Sequence, residues 1–108
     1  MGDADDVGSE GAHSAASLGQ RVAAATCGSL NRSGRGYTVT IPHGSREIVV
    51  RLMEEGGGRK NFYRVSVAGK ETYTVEGTPS TDRSLMHIPV AESSFNDIMR
   101  IVGKIQSQ

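Results

Sequence analysis

Between Tyr37 and Val90, apolar and polar side chains alternate along five short segments, and this period of two constrains the fold more than any other feature. The segments are YTVTI (37–41), REIVVRLME (46–54), FYRVSVA (62–68), ETYTVEG (71–77) and LMHIPV (85–90). Alternation sends successive strand side chains to opposite faces. One face then collects Val39, Ile41, Ile48, Val50, Leu52, Tyr63, Val65, Val67, Tyr73, Val75, Met86, Ile88 and Val90, a core face that something must cover. Turn-forming residues separate the segments: Pro42 with HGS, the Gly-rich EGGGRKN, Gly69-Lys70, and the polar loop TPSTDRS. Short neighbouring strands joined by such turns predict an antiparallel meander of four to five strands.

The flanks change period. Residues 14–27 (SAASLGQRVAAATC) carry Leu18, Val22 and Ala25 at helical spacing, with Ser14 as N-cap and Gly28 as the stop. GSLNRSGRG (28–36) reads as a loop. From Glu92, apolar Phe95, Ile98, Val102 and Ile105 define one face of an amphipathic helix over 92–105. Ser94 stands as its N-cap, and Asp97 lies where the helix dipole favours an acid. The class is therefore α+β, with an N-terminal helix, a sheet, and a C-terminal helix packed on one sheet face. At 108 residues the chain suits one domain, read as 13–108, preceded by a disordered acidic leader over 1–12.

Charge sharpens that division. Twelve Lys and Arg balance twelve Asp and Glu, yet Asp3, Asp5, Asp6 and Glu10 crowd the first ten residues without a base. Between Arg32 and Lys70 there are eight bases and three acids. A neutral total thus hides a basic middle that permits an RNA partner. No apolar run approaches the roughly 18 residues of a membrane-spanning segment, and no secretory signal is visible at the N-terminus. Cys27 is the single cysteine, so no intramolecular disulfide forms and a Cys-based zinc site has no ligand set. No His, Asp or Glu cluster shows metal-ligand spacing, so neither a metal nor a cofactor is expected. Trp is absent and aromatics are few, which argues against a base-stacking platform.

The second sheet face collects Thr38, Thr40, Glu47, Val49, Arg51, Met53, Phe62, Arg64, Ser66, Thr72, Thr74, Glu76, Leu85 and His87. Two readings apply. A one-sided antiparallel sheet shows polar residues to water, and a cross-strand pair of Arg51 or Arg64 with Glu76 is ordinary surface chemistry. Alternatively, arginine forks hold phosphate oxygens, and His87 supplies a general acid or base near neutral pH. Such a set, with Glu76, Thr74 or Ser66 assisting, has the parts that metal-independent RNA cleavage through the 2′-hydroxyl needs. His87 within an apolar run also suits a structural hydrogen-bonding role. His43 reads as an exposed turn residue and His13 as part of the leader. Arg32, Arg35, Arg59 and Lys60 lie in Gly-rich loops, either solvated or contacting RNA phosphates. The Gly56-Gly57-Gly58 run lacks nucleotide P-loop spacing, no GxSxG elbow occurs, and Cys27 has no base partner.

Three pieces of the chain carry a family likeness: the VRLM strand before a Gly-rich loop, the aromatic-Arg-Val strand FYRV leading into GK and a hairpin, and the closing DRSLMHIPV. Together, over about half the chain, they resemble the C-terminal toxin domains of bacterial polymorphic and contact-dependent toxin systems. The likeness is to the ribonuclease superfamily that includes barnase, EndoU-type and RelE-type enzymes. It implies a helix followed by a four- or five-stranded antiparallel sheet, metal-independent cleavage of tRNA or another cellular RNA, and a cognate immunity protein. It also implies secretion within a larger effector, action in the target-cell cytoplasm, and a monomer in isolation. Arg51, Arg64, Arg83 and His87 occupy matching motif positions. Many members place a His and a basic residue on the N-terminal helix, where this chain offers His13 before the helix and Arg21 within it. Either the catalytic set is composed differently or an essential residue has been replaced. A non-catalytic interaction module, such as an immunity or adaptor domain, and an RNA-binding domain without cleavage are the competing readings.

Overall fold

Alternating burial is what the chain displays through its central strands. The computed structural model describes residues 15–34, 36–54, 61–67, 72–81 and 88–107. The elements are α1 (Ala15–Thr26), β1 (Ser29–Ser33), β2 (Gly36–His43), β3 (Arg46–Met53), β4 (Phe62–Val67), β5 (Thr72–Tyr73), β6 (Pro79–Ser80), β7 (Ile88–Pro89) and α2 (Ser94–Gln106). β1 to β6 follow one another across a single sheet, and β7 returns to pair with β4. Every pairing is antiparallel. The α+β class and the meander are as the alternation predicts, with seven strands among the described residues instead of four or five.

The extra strands have physical causes. GSLNRSGRG is not a loop: Ser29–Ser33 pairs with Gly36–Thr40, so β2 supplies the hydrogen bonds that the local sequence leaves open. Its polar residues suit an edge strand facing water. The strand expected over 71–77 ends at Tyr73, because Thr74 turns the chain. The Thr74 N–H donates to the Thr78 carbonyl (2.9 Å), and the Gly77 N–H donates to the Thr74 carbonyl (2.9 Å). Pro79–Ser80 then pairs back on β5, within what the sequence presents as the loop 78–84. The closing strand shows Ile88–Pro89; its expected residues 85–87 lie outside the described set.

The core lies between one sheet face and both helices. Val39, Ile41, Ile48, Val50, Leu52, Tyr63, Val65, Val67 and Tyr73 are buried with Leu18 and Val22 of α1 and with Ile98, Ile101, Val102 and Ile105 of α2. Ile88 and Val90 pack against this cluster half-buried. Met86 lies outside the described residues, and Val75 sits half-buried in the turn after β5. At either end of β2 the geometry requires a glycine. Gly44 opens the two-residue β2–β3 turn at φ +64°, the left-handed first position of a type II′ hairpin. Gly36 lies so close to β3 that a Cβ there falls on the Leu52 carbonyl oxygen.

The helix ends differ in quality. At the end of α1, Cys27 adopts the left-handed conformation (φ 59°) and the Gly28 N–H donates to the Ala23 carbonyl (3.0 Å). That is a Schellman closure with a non-glycine residue at its left-handed position. For α2 the N-cap is Ser93 rather than the expected Ser94. Ser94 Oγ instead accepts from the Ala91 N–H (2.7 Å), and Ser93 Oγ donates to Asp97 Oδ2 (3.0 Å). Neither described helix is long and apolar enough to cross a membrane. The leader read over 1–12, Ser14, and the Gly69-Lys70 turn lie outside the described residues.

Candidate functional site

Because both helices occupy the apolar side, no described element covers the second sheet face. The register arranges that face in rows. Asn31, Thr38, Arg51 and Arg64 form one row across β1–β4. Ser29, Thr40, Val49, Ser66, Thr72 and Ser80 form the next. Gly36, Met53, Phe62 and Pro89 form a third on the other side of the arginines. The open face is therefore a pair of arginines between a band of hydroxyls and a narrow apolar band.

Arg51 and Arg64 are direct cross-strand partners. Arg51 is exposed and Arg64 half-buried among its strand neighbours. Like charges directly opposite one another destabilise a sheet, and among the described residues neither arginine has an ion-pair partner. Glu47, on the same face of β3, is four residues from Arg51, about 13 Å along an extended strand. The expected pairing of Arg51 or Arg64 with Glu76 is not formed. Glu76 is exposed in the turn beyond β5, on no strand. Thr74 is buried in that same turn, its Oγ1 within 2.9 Å of Thr78 Oγ1 and accepting from the Glu76 N–H (3.2 Å). These two residues hold a turn, whereas Ser66 and Thr72 carry hydroxyls on the arginine face.

Arg32 is drawn elsewhere. It pairs with Tyr37, whose row continues to Leu52 and Tyr63, so it belongs to the helix side of the sheet. Its Nη1 donates to the Tyr37 hydroxyl (2.8 Å), its guanidinium lies 5.2 Å from the Tyr37 ring centroid, and Nη2 is 3.9 Å from Glu54 Oε1. The sheet separates it from Arg51 and Arg64. Arg21, the basic residue of the N-terminal helix, stacks 4.3 Å from the Phe95 ring centroid and joins α1 to α2. His13, Arg35, Arg59, Lys60, Arg83 and His87 lie outside the described residues. Ile88, the chain neighbour of His87, pairs with Tyr63, the chain neighbour of Arg64. Among the described residues no group of three or more His, Cys, Asp or Glu gathers as a metal-binding cluster.

Two features were not legible as sites. A cleft of about 360 Å³ opens at the β2–β3 turn, lined in part by His43 and Arg46. His43 is the last residue of β2 and half-buried, not a free turn residue. Separately, the hydroxyl of fully buried Tyr63 has no hydrogen-bond partner among the described residues. Burial, reinforced by Asp97 and partly offset by Arg100, holds its phenol well above the ordinary tyrosine range. Asp97 and Arg100 pair with each other (3.1 Å), and Arg100 Nη2 also donates to the Val75 carbonyl (2.8 Å).

Comparison with protein-family models, with curated proteins and with solved structures yielded no match to the chain.

Proposed function

We propose that this chain is a metal-independent endoribonuclease domain of the toxin class, acting on tRNA or another cellular RNA. The observation that carries the reading is the Arg51–Arg64 pair, set side by side on a face that no described element covers and without a described acid to neutralise it. Paired planar forks suit the non-bridging oxygens of an RNA phosphate and the charge that grows on them during attack by the 2′-hydroxyl. Neighbouring Thr38, Ser66 and Thr72 offer hydroxyls for sugar and phosphate contacts. His87 is the proposed general acid or base, and Arg83 the proposed support for the substrate. A cognate immunity protein and delivery within a larger effector accompany this reading.

The test is expression of the chain in bacteria without an inhibitor, with RNA analysed in the presence of a chelator. Growth arrest with discrete RNA fragments is expected, and both disappear in His87→Ala and in Arg51→Ala while the proteins remain folded. An inert, folded wild-type chain overturns the proposal. RNA that is bound tightly but left whole replaces it with the RNA-binding reading.

A further inference from the structure

The proposed ribonuclease chemistry makes no use of the cleft at the β2–β3 turn. His43 and Arg46 are the last cross-strand pair before that turn. They share the parity of Ile41 and Ile48, so their side chains leave the sheet on the helix side, just past the last buried pair. Behind them stand Val67 and Tyr73 of the sheet and Ile105 from the last turn of α2. Ser45 completes the mouth. The cleft is therefore lined by an imidazole, a guanidinium and a serine hydroxyl together with the Val67 and Ile105 side chains and the Tyr73 phenol. No acid is among its described lining residues, and neither His43 nor Arg46 makes an ion pair with a described residue.

Size and chemistry together select a ligand class. About 360 Å³ is near the lower end of small-molecule pockets, which run from about 300 to 1,000 Å³. That volume admits a molecule of mononucleotide size. Arg46 offers a planar fork, and His43 donates a hydrogen bond in either protonation state. With Ser45 these make three donor groups, suited to the several oxygens of a phosphate monoester. The Val67 and Ile105 side chains and the Tyr73 ring give an apolar body something to rest on. We infer that the His43–Arg46 cleft binds a small phosphomonoester with an apolar or planar body. The sheet lies between it and Arg51–Arg64, so this site does not depend on the proposed cleavage.

Adenosine monophosphate is a suitable probe, with inorganic phosphate and adenosine as its two halves. Titration of the full chain, followed by amide and imidazole NMR shifts, is expected to show AMP binding tighter than either half. The shifts should centre on His43–Arg46 and reach Ile105. Arg46→Ala should weaken AMP by about tenfold or more, the loss of a charge-assisted hydrogen bond. Arg21→Ala removes an equal charge on α1 and should leave AMP affinity unchanged, with thermal denaturation confirming that both variants fold. The inference is overturned by an absence of AMP binding up to about 10 mM. It is also overturned by affinity that survives Arg46→Ala, by equal loss in Arg21→Ala, or by AMP binding no better than phosphate. RNA cleavage by the same preparations is read separately, so either proposal can fail without the other.

Discussion

Replacing Arg64 with threonine is expected to make this protein more stable and a poorer RNA ligand at once. Arg64 sits directly across from Arg51. Two unit charges about 8 Å apart, a spacing open to long side chains on directly opposed strand positions, repel by about 0.5 kcal/mol in a water-like dielectric, and about half of that survives at 0.1 M salt. Threonine also favours a half-buried strand position. The combined gain is about 0.5–1 kcal/mol, or roughly 2–6 °C in Tm for a domain of this size. Urea denaturation at low and high salt measures it, and the difference between the proteins should shrink as salt rises. The same change removes one phosphate contact from the proposed interface. With a 2′-O-methyl RNA probe that resists cleavage, affinity should fall and the slope against log salt should flatten by about 0.7. Destabilisation beyond about 1 kcal/mol would mean that the Arg64 stem is a packing element, contrary to this reasoning. Higher stability with unchanged RNA affinity and slope would remove the phosphate role.

Three further outcomes follow from backbone and burial. Gly36→Ala should cost about 3 kcal/mol or more, since its Cβ falls on the β3 backbone and one strand must move; loss of the cooperative unfolding transition would be the sign. Cys27→Gly should raise stability by about 1 kcal/mol, because the left-handed position after α1 suits glycine, and an unchanged urea midpoint would contradict that. Tyr63→Phe should be neutral or stabilising by about 1 kcal/mol, since it removes a buried hydroxyl that has no described partner. The raised phenol also sets a pH dependence. Stability from a neutral buried Tyr63 is complete below about pH 10 and is lost as pH rises beyond it, because only the unfolded chain releases that proton. Wild type should therefore lose stability more steeply than Tyr63→Phe in urea titrations above pH 10.

Much of the fold was legible because burial follows parity. The residues from Val39 to Tyr73 assigned to the apolar side are buried wherever a described strand carries them. The spacing from Phe95 to Ile105 likewise placed α2. What failed was local turn chemistry read without tertiary partners. Gly, Asn and Ser over 28–36 signal a loop, yet β2 pairs with 29–33 and makes a strand of them. Thr72, Thr74 and Glu76 alternate like a strand, yet Thr74 bonds to Thr78 and the left-handed Gly77 (φ 85°) ends the pairing. A hydroxyl that competes with the ladder for backbone groups is not visible in a pattern of apolar positions.

The site shows the same division between face and row. Alternation puts Arg51 and Arg64 on one face, but it cannot make them neighbours. Sliding β4 by two residues against β3 would preserve every buried position and set Arg51 opposite Phe62 or Ser66. Between β2 and β3 the two-residue turn at Gly44 fixes the row, which seats Thr38 beside Arg51 and His43 beside Arg46. Between β3 and β4 the connection is longer, from Glu54 to Asn61. In this register Val50 pairs with Val65 and Leu52 with Tyr63, and all four are buried, with β3 packed against α1 and β4 against α2. With those buried pairs in place, the two arginines stand opposite one another on the other face. Their mutual repulsion is a cost of the fold that an anion on the open face relieves. On the proposed function, added RNA should therefore raise the unfolding temperature of wild type more than that of a chain in which one of the pair is neutral.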